Sequence, residues 1–220
     1  IWAVLLAALG MLAFARRRPV LAGVLLGLGA ALKLYPVLIL GAVLVLAVRT
    51  GRLRPAFQAV GAAAGAWLAV NLPFMVADFT GWKFFLTFTG ERPAGYSSVW
   101  FAWNVLADRW GRVQADPQFI NFWAYFLFAA ACAGIAVLGL SAPRRPRLAQ
   151  LAFLIVAAFI LTNKVYSPQF VLWLIPLVAL ARPRWRDFLI WQFFEVLHWW
   201  AIWMYLGAQT SGGSPQHNLD

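Results

Sequence analysis

Two short segments of the sequence bring a lysine, a tyrosine and a proline close together. The first reads Leu-Lys-Leu-Tyr-Pro at residues 32–36, and the second reads Asn-Lys-Val-Tyr-Ser-Pro-Gln at residues 163–169. A lysine ammonium binds phosphate as a point charge, and tyrosine, serine and glutamine side chains add hydrogen-bond donors. The two segments therefore predict an anion-binding site that draws on Lys33, Tyr35, Lys164, Tyr166, Ser167 and Gln169.

Each segment separates two short apolar runs, 19–32 from 36–48 and 148–162 from 169–181. Proline interrupts a helix because it lacks the backbone donor and clashes with the preceding turn. We expect two broken helical hairpins, with each half only about 20 Å long as helix. Broken apolar segments at corresponding positions of two halves point to a ligand site in membrane proteins. We expect both lysines to share a polar cavity; the alternative is that each one snorkels to the headgroups.

The composition decides the class of protein. The chain has 220 residues, of which 63% are hydrophobic and 11% charged, and its 18 Lys+Arg against 7 Asp+Glu give a formal charge of +11. A soluble globular domain is about half apolar and a quarter charged, so this class is excluded. The sequence predicts an all-α polytopic membrane protein that binds no nucleic acid.

The arginines are grouped in a way that predicts membrane topology. Twelve of them fall in four groups of three between apolar runs: Arg16, Arg17, Arg18; Arg49, Arg52, Arg54; Arg144, Arg145, Arg147; and Arg182, Arg184, Arg186. By the positive-inside rule all four groups lie in the cytoplasm. Residues from about 77 to 120 carry four basic and four acidic side chains and are expected to form an external loop. The sequence therefore predicts a multi-pass protein of the plasma membrane whose active face is external.

Residues 1–207 are expected to form a single transmembrane domain, and the polar residues 208–220 a disordered tail. The runs 55–76, 121–142 and 188–207 are long enough to cross the hydrocarbon core. The chain opens inside an apolar run and is expected to be the C-terminal part of a longer protein.

Further ionisable residues are candidates for the site. In the loop, Arg92 has the planar fork that grips phosphate or sugar hydroxyls, while Glu91 and Asp78 either orient an acceptor or are ordinary surface charges. Glu195 and His198 lie one helical turn apart in the last span. They serve the acceptor site or relay a proton, or they satisfy each other inside the bundle, or Glu195 meets an apical lysine.

Other features have structural interpretations. Gly23 and Gly27, and likewise Gly61 and Gly65, have the spacing that permits close helix contacts. Residues 98–110 are expected to form a short interfacial helix capped by Ser97 or Ser98. The sequence contains no Walker loop, nucleophile elbow or clustered His and Cys, so we expect neither a metal nor a cofactor.

At its two apices the sequence resembles glycosyltransferase family 87. The stretches Gly23–Pro36 and, more specifically, Asn163–Pro176 are similar to hallmark segments of that family, and the resemblance spans about residues 20–207. These are membrane enzymes of the GT-C fold, many of actinobacterial origin, that use polyprenyl-phosphate mannose or a related lipid-linked sugar.

The resemblance implies a GT-C-like helical bundle that transfers a sugar, with mannose expected, from a polyprenyl-phosphate donor to a glycan or glycolipid acceptor. It also implies a catalytic carboxylate in an external loop near the N-terminus. The general base is therefore expected upstream of Ile1, and the 220 residues alone are expected to be inactive.

Two other functions are compatible with the same pattern. Twin broken hairpins with polar apices also suit a transporter or flippase for a lipid-linked sugar or another anion. A catalytically silent subunit that only binds polyprenyl phosphate is the third possibility. An acidic external loop upstream of Ile1 would favour the transferase, whereas another inverted copy of the hairpin without such an acid would favour transport.

Overall fold

The computed structural model describes the backbone of residues 1–219 and the side chains of residues 1–208. Over this range the chain is helical, without strands, and two 3-10 turns interrupt it at Tyr35–Val37 and Pro168–Phe170. The α-helices are α1 (Trp2–Ala15), α2 (Pro19–Leu32), α3 (Leu38–Thr50), α4 (Leu53–Ala77), α5 (Phe79–Glu91), α6 (Val99–Arg109), α7 (Pro117–Ser141), α8 (Leu148–Thr162), α9 (Val171–Ala181) and α10 (Trp185–Leu219). The predicted all-α fold class is confirmed.

Both broken hairpins form where the sequence predicts them. α2 and α3 are joined through the 3-10 turn at Tyr35–Val37, and α8 and α9 through the turn at Pro168–Phe170. In each turn a proline occupies the first or second position, where its missing N–H leaves no helical hydrogen bond unmade. Both apices therefore turn through a 3-10 helix that has a proline at its start.

Helix packing around α2 depends on glycine. α2 packs between α1 and α4. A Cβ atom at Gly23 or Gly27 would overlap the backbone carbonyl of Ala59 or Ala63, so the close contact between α2 and α4 requires both glycines. Gly61 and Gly65 face open space, and the prediction that they too make a close contact is not supported within the described structure.

All four arginine groups lie at one end of the bundle, which we call the arginine end. A small buried cluster there joins residues next to three of the groups: Val43, Ala47 and Ala56, packed by Phe14 and Leu148. Phe14 precedes Arg16, and Leu148 follows Arg147, so the short links meet.

Two arginines tie helix ends together at the arginine end. Arg49 donates to the carbonyls of Gly139 and Ala142 at 2.7 and 2.6 Å, at the C-terminus of α7. Arg147 donates to the carbonyl of Ala181 at 2.8 Å, at the C-terminus of α9. Cations there satisfy orphan carbonyls and complement the helix dipole.

The opposite end, which we call the loop end, is built from residues 77–120 and the second apex. Three side chains cap its helices: Asp78 accepts from Gly81 N, Ser98 from Phe101 N, and Asp116 from Gln118 N and Phe119 N. The predicted helix over 98–110 is confirmed with Ser98 as its cap. Asp78 is likewise a helix cap, which supports the structural interpretation over a role in orienting an acceptor.

Two of the described helices are long and apolar enough to cross a membrane, α4 and α7, and they join the arginine end to the loop end. The third predicted span, 188–207, lies within α10, which is not among them because Gln192, Glu195 and His198 make it more polar. The structure continues α10 through Leu219, where the sequence predicts a disordered tail over 208–220. The side chains of residues 209–220 lie outside the described part of the structure.

Candidate functional site

A cavity of about 780 Å³ opens at the loop end. Its walls come from the loop segment 92–96, the inner face of α6, the second apex at 165–168, and α10. The polar side chains on these walls are Arg92, Tyr96, Asn104, Asp108, Gln114, Tyr166 and Ser167. Three of the predicted site residues, Arg92, Tyr166 and Ser167, are thus brought to one cavity.

Lys164 lies behind this cavity and holds its wall in place. The side chain is 4% exposed, and its ammonium donates to the carbonyls of Gly90 at 3.0 Å and Arg92 at 2.9 Å. The Lys164 carbonyl in turn accepts from Gly95 N at 2.8 Å. The second apex and the loop are therefore locked together through both the backbone and the side chain of one residue.

A second link joins the loop to the end of α8. The indole of Trp100 donates to the carbonyl of Thr162 at 2.9 Å. Asn121, near the start of α7, donates to the same Gly90 carbonyl that Lys164 uses, at 2.7 Å. The bond from Trp100 holds the loop against the end of α8. This helix has 15 residues and is about 22 Å long, so the hairpin that the loop covers is short.

Arg92 carries positive charge to the cavity. Its guanidinium lies over the Phe88 ring, 5.6 Å from the ring centre, and the side chain is partly exposed. Within the described part of the chain, no carboxylate oxygen lies within 4.0 Å of the charged nitrogens of Arg92 or Lys164. The cavity wall also carries one carboxylate, Asp108, which forms an ion pair with neither cation, so the two cations outnumber it and the cavity suits an anion.

The two apices meet through their aromatic residues. Tyr35 stacks on Trp173 at 4.5 Å, Trp173 stacks on Phe170 at 4.1 Å, and Phe170 contacts Tyr166 edge-on at 6.3 Å. This aromatic ladder connects the tyrosines of the two Lys-x-Tyr segments. The Tyr35 side chain is 1% exposed, and its hydroxyl has no hydrogen-bond partner among the described residues.

The lysines of the two apices occupy different surroundings. Lys33 is exposed and does not line the cavity, whereas Lys164 is buried. The ladder joins the apices at their tyrosines, and no hydrogen bond in the described structure links the two lysines. The reason is local: Lys33 ends α2 with an extended backbone, whereas the loop folds over Lys164.

Tyr166 is held by a carboxylate of α10. Its hydroxyl donates to Glu195, with O–O distances of 3.1 and 3.3 Å to the two carboxylate oxygens, and the Trp191 indole donates to Glu195 Oε1 at 2.9 Å. His198 Nδ1 lies 3.8 Å from Glu195 Oε2, and its ring contacts the Tyr166 ring edge-on. Glu195 and His198 thus lie together behind Tyr166, and the carboxylate meets a tyrosine instead of an apical lysine.

Two further predicted residues, Glu91 and Gln169, like Lys33, lie away from the cavity walls and are exposed. Sequence reasoning in turn missed the polar face of α6: Asn104 and Asp108, four residues apart, line the cavity, and Asn104 pins the following loop through two hydrogen bonds to Ala115. The spacing of these two residues on one helix face was the available signal.

Metal ligands are not clustered in the described residues: they contain no group of three or more His, Cys, Asp and Glu side chains placed to hold an ion. Cys132 is a partly buried packing residue on α7.

Comparison with known protein families matches residues 1–163 to glycosyltransferase family 87. This range includes the first apex, the loop and the helices up to the end of α8, and it stops just before Lys164. Searches of curated proteins and of solved structures find no match. With about three quarters of its length matched, and with an all-α architecture carrying long apolar helices, the chain belongs to glycosyltransferase family 87 and is a membrane glycosyltransferase.

Proposed function

We propose that this transferase moves a sugar, mannose, from a polyprenyl-phosphate donor to a glycan or glycolipid acceptor, and that the cavity at the loop end holds the phosphate-linked sugar. The observation that carries the proposal is the pair of cations at this cavity, Arg92 on its wall and Lys164 behind it, which outnumber the one wall carboxylate, Asp108, and are not paired with it. The volume of about 780 Å³ suits a small organic ligand.

The predicted residues have different roles because they lie at different positions relative to the cavity. Arg92 offers a planar fork of donors to phosphate oxygens, and Ser167 adds a hydroxyl on the wall formed by the second apex. Lys164 acts from behind, by fixing the Arg92 backbone and adding positive potential. Of the other predicted substrate ligands, Tyr166 lines the cavity, Tyr35 is buried, and Lys33 and Gln169 are exposed away from the cavity walls.

The reaction itself makes use of this charge. The acceptor hydroxyl attacks the sugar C1, the bond from C1 to the phosphate oxygen breaks, and polyprenyl phosphate leaves with the bonding electrons while a base takes the acceptor proton. Negative charge grows on the leaving phosphate, so donors already held beside it lower the barrier.

The orientation in the membrane follows from the arginine end. The positive-inside rule, applied to the four arginine groups at one end of the bundle, supports a cytoplasmic location for that end. The loop end, with its cavity, then faces the external side of the plasma membrane in a multi-pass protein. This is where a lipid-linked donor can meet an extracytoplasmic acceptor.

Substitution of Arg92 in the full-length protein tests the proposal. Arg92→Gln should lower transfer from labelled polyprenyl-phosphate mannose by about a hundredfold, the usual cost of losing one preorganised donor. Arg109→Gln is the matched control, because Arg109 is an exposed arginine of the same loop region that does not line the cavity. Equal activity of the Arg92→Gln variant and the wild type would refute the assignment, and transfer from a nucleotide sugar alone would refute the donor class.

A further inference from the structure

A second, smaller pocket lies at the arginine end, and it shares no lining residue with the loop-end cavity. It has a volume of about 200 Å³ and is formed where α9 ends and α10 begins. Its floor is apolar, with Ile175, Ala179 and Phe188, and its rim carries Arg182, Arg184 and Trp185. The pocket thus combines a hydrocarbon-lined cleft with a basic mouth.

The basic rim is only partly neutralised. Arg182 donates to Asp187 at 2.5 Å, and Arg186 lies 3.6 Å from the other oxygen of the same carboxylate. The hydrogen bond from Arg182, helped by the charges of both arginines, lowers the pKa of Asp187, so this one acid remains ionised. Arg184 has no acidic partner in the described structure, and the three arginines outnumber the single acid.

The surroundings add to this surplus. Arg147, from the neighbouring arginine group, is bonded to the Ala181 carbonyl directly before the rim. Trp185 is 77% exposed beside Arg184. A tryptophan at a helix end among arginines is typical of the headgroup level of a bilayer.

We propose that this pocket binds one anionic phospholipid from the leaflet at the arginine end, with the phosphate on Arg184 and Arg182 and the first part of an acyl chain over Ala179 and Phe188. Basic pockets between membrane helices hold anionic headgroups in this way. The mainly apolar floor argues for a lipid and against a free phosphate ion. The site is independent of the sugar-transfer cavity and does not rest on the proposed function.

Two substitutions separate the charge of the site from its shape. Arg184→Gln removes the unpaired cation. Ala179→Phe fills the cleft and leaves every charge in place, and Ala179 is exposed, so the larger side chain does not intrude on the core. Arg145→Gln is the matched control, because Arg145 is an exposed arginine of the neighbouring group that does not line the pocket.

The measurement is native mass spectrometry of the full-length protein titrated with phosphatidylglycerol, and with phosphatidylcholine for comparison. We expect one phosphatidylglycerol to be retained in preference to phosphatidylcholine, with retention reduced about fivefold by Arg184→Gln and by Ala179→Phe but not by Arg145→Gln. If Ala179→Phe is not monodisperse, the comparison of Arg184→Gln with Arg145→Gln decides alone. Equal loss for both arginine variants would overturn the site, since it would indicate diffuse attraction. Displacement of the lipid by millimolar inorganic phosphate would overturn the choice of ligand.

Discussion

Lys164 supports the wall of the loop-end cavity without lining the cavity itself. Its ammonium is enclosed by the loop and is used by two carbonyls, Gly90 and Arg92. The equivalent residue of the first apex, Lys33, is exposed and has no such contacts. Two lysines with the same sequence context therefore have different energetic roles.

We expect Lys164→Ala to destabilise the full-length protein by about 2 kcal/mol, because the Arg92 carbonyl loses its donor and the Gly90 carbonyl keeps only the bond from Asn121. Thermal unfolding of the detergent-purified protein measures the effect, and sugar transfer should fall with it because the Arg92 backbone is released. Lys33→Ala is the control and should leave the unfolding temperature unchanged. A Lys164→Ala variant as stable as the wild type would show that these bonds do not hold the loop.

The two apical tyrosines make a second matched pair. Tyr166→Phe removes the hydrogen bond to Glu195 and should cost about 1–2 kcal/mol. Tyr35→Phe should be neutral or stabilising, since the buried Tyr35 hydroxyl has no partner among the described residues and phenylalanine keeps the stack on Trp173. Unfolding temperatures of the two variants test this contrast, which equal destabilisation by both would contradict.

At the scale of the helices, the contact between α2 and α4 leaves less room for an added Cβ atom than any other glycine position in the described structure. Gly23→Ala should destabilise the protein by at least about 2 kcal/mol, because the added methyl group meets a backbone carbonyl that cannot move independently of its helix. Gly61→Ala places the same methyl group in open space and should be neutral or up to about 1 kcal/mol stabilising, from helix propensity. Yields of monodisperse protein and unfolding temperatures compare the two, and a tolerated Gly23→Ala would mean that the helices are not in close contact.

The helical hairpins could be predicted from the sequence because their signals are local. Proline and the arginine groups mark where short apolar runs must begin, bend and end, and the observed bounds follow the predicted ones closely. The cap at Ser98 is local for the same reason. The predicted span over 188–207 has a weaker membrane signal. Glu195 and His198 lower its hydropathy, and both side chains make contacts inside the bundle.

The candidate site could be predicted only in part. Arg92, Tyr166 and Ser167 were found from residue type and reach the cavity. The pairing of Lys33 with Lys164 was inferred from symmetry, and symmetry in sequence does not determine which side chain the loop covers. The aromatic ladder depends on how distant segments pack, which no spacing in the chain encodes. The spacing of Asn104 and Asp108 indicates a polar face of α6 but not which segments that face meets.

At the scale of the whole molecule, the arginine end and the loop end define an axis. The arginines bond helix ends at one extremity, and the cavity with Arg92 on its wall and Lys164 behind it lies at the other. Two anionic lipids of different kinds, one proposed at each end, would bind the same protein at opposite surfaces of the membrane.

Accessibility labelling tests this axis. With native cysteines replaced, a single cysteine at Gly111 in the loop should react with a membrane-impermeant maleimide in intact cells. A cysteine at Arg145 should react only after permeabilisation, because it lies at the arginine end. Labelling of both positions from outside, or the reverse order, would contradict the proposed orientation.

The central claim is that the loop-end cavity receives the phosphate of the donor through Arg92. A cryo-electron microscopy structure of the full-length protein with bound polyprenyl phosphate tests it most directly. The account predicts phosphate density within hydrogen-bonding distance of the Arg92 guanidinium and the Ser167 hydroxyl, with Lys164 still bonded to the loop carbonyls behind it. Phosphate density elsewhere, with this cavity empty, would contradict the claim.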